Sequence, residues 1–142
     1  MKIQFQNSML AIFESALYQT TSTVVIHPNF ILVVDPNWLP LEIETIQKFV
    51  QENRKSQPIY LLFTHSDYDH IIAYRAFPNA KVIASKAFQD QKKKEAIIQQ
   101  ILNFDDENYI KRNYPIEYPE VDLVIQGDDE KVDIEGVEFI FQ

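Results

Sequence analysis

The feature that most constrains the fold is a buried-strand pattern that ends in a cluster of polar side chains. Residues 59–63 (IYLLF) form the short apolar run that is typical of a strand with both faces buried. They lead almost directly into residues 65–70 (HSDYDH), which hold two of the three histidines of the chain. Loops at the C-terminal ends of strands collect the functional side chains of α/β proteins. We therefore predict a layered α/β fold with a functional site at the end of this strand.

The segments around this strand alternate between strand and helix patterns. The N-terminal third is rich in β-branched and aromatic residues and predicts a β-meander that ends at Asp35. Apolar residues between Leu39 and Val50 recur at helical spacing and predict an amphipathic helix. No single element is predicted for residues 104–119. The remaining predicted elements are strands at residues 81–84, 123–125, 131–134 and 137–141 and helices at residues 69–77 and 86–102.

Composition and charge exclude several classes of function. The absence of cysteine excludes a disulfide framework, a thiolate metal site and a cysteine nucleophile. Neither of the two glycines has the neighbours of a phosphate-binding glycine loop. The net charge of −8 argues against nucleic-acid binding without excluding it, because a metal can supply positive charge where phosphate sits. No signal peptide or membrane-spanning run is visible, so we expect a cytoplasmic protein without membrane contact, although a secreted domain cut from its signal would look the same.

The cluster at residues 65–70 has the composition of a metal site. Imidazole nitrogens and carboxylate oxygens together suit Zn²⁺, Mn²⁺ or iron. The structural alternative is helix capping, because the serine and aspartates are good N-cap residues, and Ser66 with Asp69 resembles a capping box. Capping leaves His65 and His70 without a role. A metal site is therefore the preferred interpretation.

The block from residues 33–36 (VVDP) through the amphipathic helix to residues 61–72 (LLFTHSDYDHII) resembles the metallo-β-lactamase fold superfamily. Its hallmark is H-x-H-x-D-H after a strand, preceded by an aspartate at the end of an earlier strand. The resemblance extends from about residue 10 to the end of the chain. It implies an αββα sandwich, of which this chain holds the N-terminal half and the start of the second half.

One position departs from the hallmark. Asp67 stands where the superfamily usually has its second histidine, so the motif reads H-x-D-x-D-H. This variant resembles the nuclease-like domains of DNA-uptake channel proteins and some other bacterial members.

The resemblance also implies a role for each residue of the motif. His65 and Asp67 would bind a first metal ion, and Asp69 and His70 would bind a second. Asp69 would in addition hold the attacking water as the catalytic residue. Asp35 would support the ligand loop without binding metal itself. The expected cofactor is a pair of divalent ions, zinc or alternatively manganese or iron, for which this chain carries an incomplete ligand set.

The superfamily takes its further ligands from its C-terminal half, and the third histidine here, His27, falls in a predicted turn before the motif. The strand pattern at residues 137–141 runs to Gln142 without a polar tail. We therefore expect residues 1–142 to be one domain that is truncated at the C-terminus and inactive by itself. The natural chain should continue with a histidine within about 15 residues.

Three functions remain open. The leading one is a metal-dependent hydrolase in which a metal-activated water attacks an ester, thioester, lactone or phosphodiester. The second is a catalytically silent domain of the same fold that serves binding or regulation. The third is a nuclease-like member. The expected partner is a small-molecule or phosphodiester substrate, and the sequence does not define the oligomeric state.

Overall fold

A computed structural model describes all of residues 1–142. Seven strands form one sheet, in the order in which they occur along the chain, and two further strands form a separate hairpin. The strands are β1 (Lys2–Gln6), β2 (Leu10–Glu14), β3 (Thr21–Ile26), β4 (Ile31–Val34), β5 (Ile59–Leu62), β6 (Lys81–Ser85), β7 (Leu123–Ile125), β8 (Glu130–Ile134) and β9 (Val137–Phe141). The helices are α1 (Pro40–Asn53), α2 (Tyr68–Ile71), α3 (Lys86–Gln89) and α4 (Lys94–Glu107), with a 3₁₀ turn at Tyr74–Ala76. This mixed α/β architecture confirms the predicted fold class.

The pairing of neighbouring strands changes from antiparallel to parallel at one point in the sheet, at β4. Strands β1 to β4 are antiparallel neighbours, whereas β4 to β7 run parallel to one another. A parallel pair needs a crossover, and α1 provides it between β4 and β5. The C-terminal ends of β4 to β7 therefore lie at one edge of the sheet. Residues that follow different strands meet there.

The two faces of the sheet are covered differently. The helices cover one face and form the larger core, in which Ile43 and Ile46 of α1 and Ile101 of α4 are fully buried. The β8–β9 hairpin covers part of the other face, where Ile134 packs with residues of β4 to β7 such as Ile83. No helix has the length and apolar composition needed to cross a membrane.

Two predicted helices are interrupted in the structure. The helix predicted over residues 86–102 is wrong as one element, because α3 ends at Gln89 and α4 begins at Lys94. The side-chain oxygen of Gln91 accepts a hydrogen bond from the backbone nitrogen of Lys93 (3.1 Å) and stabilises the linker between them. The helix predicted over residues 69–77 is likewise divided into α2 and the 3₁₀ turn.

The unassigned segment after Phe104 is held by one buried arginine. The α4 helix continues to Glu107, and the chain then crosses to β7 without regular structure. Both Nε and Nη2 of Arg112 donate to the carboxylate of Asp105, each at 2.8 Å, and Nη1 donates to the carbonyl oxygen of Trp38 at 2.9 Å. The bidentate contact ties the crossing segment to α4, and the contact with Trp38 ties it to the loop that follows β4.

Candidate metal centre

Asp35 connects the ends of two neighbouring parallel strands. It follows β4 with a φ of +45°, a conformation that aspartate tolerates better than most residues. Its buried carboxylate accepts two hydrogen bonds from Thr64, one from the backbone nitrogen at 2.9 Å and one from the hydroxyl at 2.5 Å. The hydroxyl of Ser22 on β3 donates to the carbonyl oxygen of Asp35 at 2.8 Å. These hydrogen bonds fix Asp35 and tie it to Thr64, the residue that directly precedes the ligand loop (residues 65–70).

His70 lies between two carboxylates. Its Nδ1 atom is 3.0 Å from Oδ2 of Asp35, and its Nε2 atom is 3.3 Å from Oδ2 of Asp69. Nδ1 is buried and, although close to Asp35, has no partner in hydrogen-bonding geometry. Burial opposes protonation, but the two carboxylates outweigh it and raise the pKa of His70 to about 9. The pKa of Asp69, which burial would raise, is lowered by His70.

His65 also lies between two polar groups, but the Thr64 hydroxyl stands between its ring and Asp35. Its Nδ1 atom is 2.9 Å from the hydroxyl oxygen of Thr64, and that hydroxyl is bound to Asp35. Its Nε2 atom lies 3.5 Å from Oδ2 of Asp67. The centroids of the two imidazole rings are 3.9 Å apart. Each ring thus turns Nδ1 toward Asp35, directly or through Thr64, and presents Nε2 to an aspartate of the motif.

These distances suit divalent metal ions. Two ligand atoms at about 2.0–2.2 Å from a tetrahedral zinc ion are about 3.3–3.6 Å apart. The Nε2-to-carboxylate distances of 3.5 Å for His65 with Asp67 and 3.3 Å for His70 with Asp69 fall in this range. A ligating histidine usually directs its other nitrogen toward a carboxylate or another polar group. Here Nδ1 of His70 lies 3.0 Å from Asp35, and Nδ1 of His65 lies 2.9 Å from the Thr64 hydroxyl. The donor set therefore fits the ions that the resemblance implies.

Asp35 could itself be taken for a metal ligand. Single ligand atoms of Asp35, His65 and His70 all lie within 4.8 Å of one another. Both carboxylate oxygens of Asp35, however, already accept hydrogen bonds from Thr64, and only 5% of the residue is exposed. The role expected from the sequence, in which Asp35 supports the ligands without binding metal, stays a prediction.

Helix capping does not account for the aspartates. Asp67 occupies the N-cap position of α2, but its side chain makes no capping hydrogen bond. Ser66 forms no capping box with Asp69, and its hydroxyl instead accepts a hydrogen bond from Gln91 at 2.9 Å. His27 lies outside the cluster, where its ring stacks on Phe30 at 4.7 Å.

Sequence reasoning missed several residues that hold the loop. Thr64 directly precedes the motif, and its position next to His65 could have indicated its role. Ser22 and Gln91 carry no local signal, because they contact the site only through the tertiary fold. Trp38 is buried against Tyr68 of α2, with ring centroids 5.4 Å apart.

A cavity of about 390 Å³ opens beside the ligand loop. It lies at the C-terminal ends of β5, β6 and β7. Its lining includes Thr64, which directly precedes the cluster at residues 65–70. Lys86 and Asp128 are the charged residues that line it, and Phe141 and Gln142 close it on the side of β9. The position is the one at which open α/β sheets bind ligands.

No protein-family model matches the sequence, and no curated protein matches it. Solved structures do match. A metallo-β-lactamase variant from Cronobacter sakazakii superposes with a TM-score of 0.58 at 18% identity, covering 91% of this chain and 48% of the other. For the FEZ-1 metallo-β-lactamase from Legionella gormanii the TM-score is 0.53 at 16% identity, with coverages of 91% and 47%. A variant of the sec-alkyl sulfatase PisA1 gives 0.60 at 16%, with coverages of 95% and 26%.

These matches show that the chain has the metallo-β-lactamase fold. The chain spans about half the length of the metallo-β-lactamase structures it matches. The structures with this fold that it matches include metallo-β-lactamases and an alkyl sulfatase, so the likeness shows the fold and does not indicate one substrate.

Proposed function

We propose that this chain supplies one part of the metal centre of a metal-dependent hydrolase. The observation that carries the proposal is the matched orientation of the two imidazoles. His65 and His70 each present Nε2 to an aspartate of the motif, while Asp35 and Thr64 engage the opposite nitrogens. Capping and surface solvation give no reason for this arrangement.

Each residue has a distinct role in the proposed reaction. His65 with Asp67, and His70 with Asp69, would hold two divalent ions, zinc in the first instance and manganese or iron as alternatives. Such ions supply positive charge and lower the pKa of a bound water molecule to about 7. Asp69 would orient the attacking water through its carboxylate, and Asp35 would keep both rings in place. The substrate is an ester, thioester, lactone or phosphodiester.

The proposal includes an incomplete ligand set. A catalytic zinc site takes three protein ligands and keeps one open position. Each histidine–aspartate pair offers two donors, so we expect weak metal binding by residues 1–142 and no hydrolysis by them alone. A silent binding domain of the same fold is the alternative that the incomplete set favours.

The test is zinc binding by this chain, measured by calorimetry. We expect weak binding, from which His65→Ala and His70→Ala should each remove one site. The third histidine provides a matched control, and His27→Ala should bind zinc as the unchanged protein does. Absence of binding, or equal binding by all three variants, would contradict the proposal. Nanomolar binding that His65→Ala abolishes would show that the ligand set is more complete than proposed.

A further inference from the structure

The ligand loop is held on a second side by a residue far along the chain. Gln91 lies in the linker between α3 and α4, and its Nε2 atom donates a hydrogen bond to the hydroxyl oxygen of Ser66 at 2.9 Å. Ser66 is the residue between His65 and Asp67. A contact at this position acts on both members of one proposed ligand pair.

The chemistry of the amide determines which end of Gln91 faces the loop. Its Oε1 atom accepts a hydrogen bond from the backbone nitrogen of Lys93 at 3.1 Å. A backbone N–H can only donate, so the amide oxygen must face Lys93 and the amide nitrogen must face Ser66. The backbone nitrogen of Gln91 also donates to the carbonyl oxygen of Phe88 at 3.3 Å. Three hydrogen bonds therefore hold this side chain and its backbone in one orientation.

Tyr118 supports the same contact. Its hydroxyl donates to the carbonyl oxygen of Phe88 at 2.7 Å, and the ring packs on the Phe88 ring with centroids 5.1 Å apart. Burial raises the pKa of the Tyr118 hydroxyl. The segment that crosses to β7 thus packs on α3, next to the linker whose Gln91 contacts Ser66.

We propose that Gln91 is a positioning residue of the metal centre, which orients His65 and Asp67 through its hydrogen bond to Ser66. Asp35 holds the loop at Thr64, before His65, and Gln91 holds it at Ser66, after His65. The contact at Thr64 alone would leave residues 65–67 free to change orientation. The contact at Ser66 restricts them. The inference rests on the proposed function, because it assigns Gln91 to the same metal-binding loop.

Two variants separate the positioning role from a purely structural one. Ser66→Ala removes the contact with the loop and leaves the Gln91–Lys93 hydrogen bond intact. Gln91→Leu removes both contacts. A structural role in the start of α4 would lower the stability of Gln91→Leu alone, whereas positioning would weaken zinc binding in both variants.

The experiment measures zinc affinity by calorimetry and stability by urea unfolding. We expect Ser66→Ala and Gln91→Leu each to weaken zinc binding about 10–100-fold, the usual effect of losing a residue that orients metal ligands. The double variant should be no weaker than Gln91→Leu. Gln91→Glu should retain most of the affinity, because the Ser66 hydroxyl can donate to a carboxylate. Gln99→Leu is the matched control, since Gln99 lies on the exposed face of α4 and donates to Asn103.

Zinc affinities of Ser66→Ala and Gln91→Leu equal to that of Gln99→Leu would overturn the inference, and so would losses that add in the double variant. Amide hydrogen exchange of residues 64–67 in the metal-free protein gives an independent readout. Faster exchange in both variants supports positioning, and unchanged exchange overturns it. Failure of the unchanged protein to bind zinc would count against the proposed function alone, because the exchange measurement still decides the role of Gln91.

Discussion

The Oδ2 atom of Asp35 lies 3.0 Å from Nδ1 of His70, across the gap between the ends of two parallel strands. The same oxygen accepts a hydrogen bond from the Thr64 hydroxyl. The oxygen of that hydroxyl lies 2.9 Å from Nδ1 of His65. One carboxylate is thereby adjacent to one imidazole directly and to the other through the Thr64 hydroxyl. Carboxylate–histidine pairs of this kind fix the ring and increase its basicity as a metal ligand.

Asp35→Asn tests this arrangement, because it removes the charge while keeping the size of the side chain, and asparagine tolerates a φ of +45°. We expect zinc affinity to fall about 10–100-fold. The free energy of unfolding should fall by about 1–3 kcal/mol, since Thr64 loses a charged acceptor. Calorimetry and urea unfolding measure the two effects, with exposed Asp106→Asn on α4 as the control. Equal affinities for the two variants would contradict the role of Asp35.

Asp67→Ala distinguishes metal binding from capping. The Asp67 side chain is 75% exposed and makes no capping hydrogen bond, so we expect the free energy of unfolding to change by less than about 0.5 kcal/mol. Binding of zinc and manganese should weaken, and Asp67→His should shift the preference toward zinc, because imidazole is a softer donor than carboxylate. Metal content by mass spectrometry and thermal unfolding are the measurements. Lower stability with unchanged metal content would show that Asp67 is a helix cap and not a metal ligand.

Glu42 gives the fold a specific dependence on pH. Its buried carboxylate accepts hydrogen bonds from the Ser15 hydroxyl (2.8 Å) and the Ala16 backbone nitrogen (2.9 Å), and the N-terminal ammonium group lies 3.5 Å away. Burial would raise the pKa of Glu42, but the hydrogen bonds lower it below the ordinary value of 4.5. The stability it contributes is therefore complete above the ordinary pKa and is lost as pH falls through the lower pKa of the folded protein.

We expect Glu42→Gln to lower the free energy of unfolding by about 1.5–3 kcal/mol at pH 7, because hydrogen bonds to a charged acceptor are lost. The same variant should show a flatter loss of stability below pH 4.5 than the unchanged protein. Urea unfolding at a series of pH values from about 7 down to about 3, which spans the ordinary pKa of a glutamate carboxyl, provides the measurement. Glu44→Gln, an exposed neighbour in α1, should leave both properties unchanged. Identical pH profiles for the two variants would refute the assignment.

Arg112→Met should be the most destabilising of these substitutions. The Arg112 side chain is 2% exposed and forms a bidentate pair with Asp105, so its loss leaves a largely buried carboxylate unpaired. A change of this kind costs about 3–5 kcal/mol. Lys111→Met, at an exposed neighbouring position, is the control for urea unfolding. A loss below about 1 kcal/mol would place Arg112 among ordinary surface ion pairs.

The elements that the sequence predicted correctly are those that have a local cause. The apolar run at residues 59–63 and the helical spacing from Leu39 to Val50 correspond to β5 and α1, because each pattern matches the period of one secondary structure. The cluster at residues 65–70 was visible because its histidines and aspartates are adjacent in the chain. The break between α3 and α4 was not predicted, and the Gln91 side chain stabilises the linker there.

The sequence by itself determined which residues could bind metal and that they follow a buried strand. Only the tertiary structure decided that Asp35 contacts this loop at Thr64 and that Gln91 contacts it at Ser66. The first contact depends on the parallel pairing of β4 with β5, and the second on where the chain returns after β6. Neither is encoded in local propensity, because a hydrogen bond between distant residues forms only where packing of the core brings their backbones together.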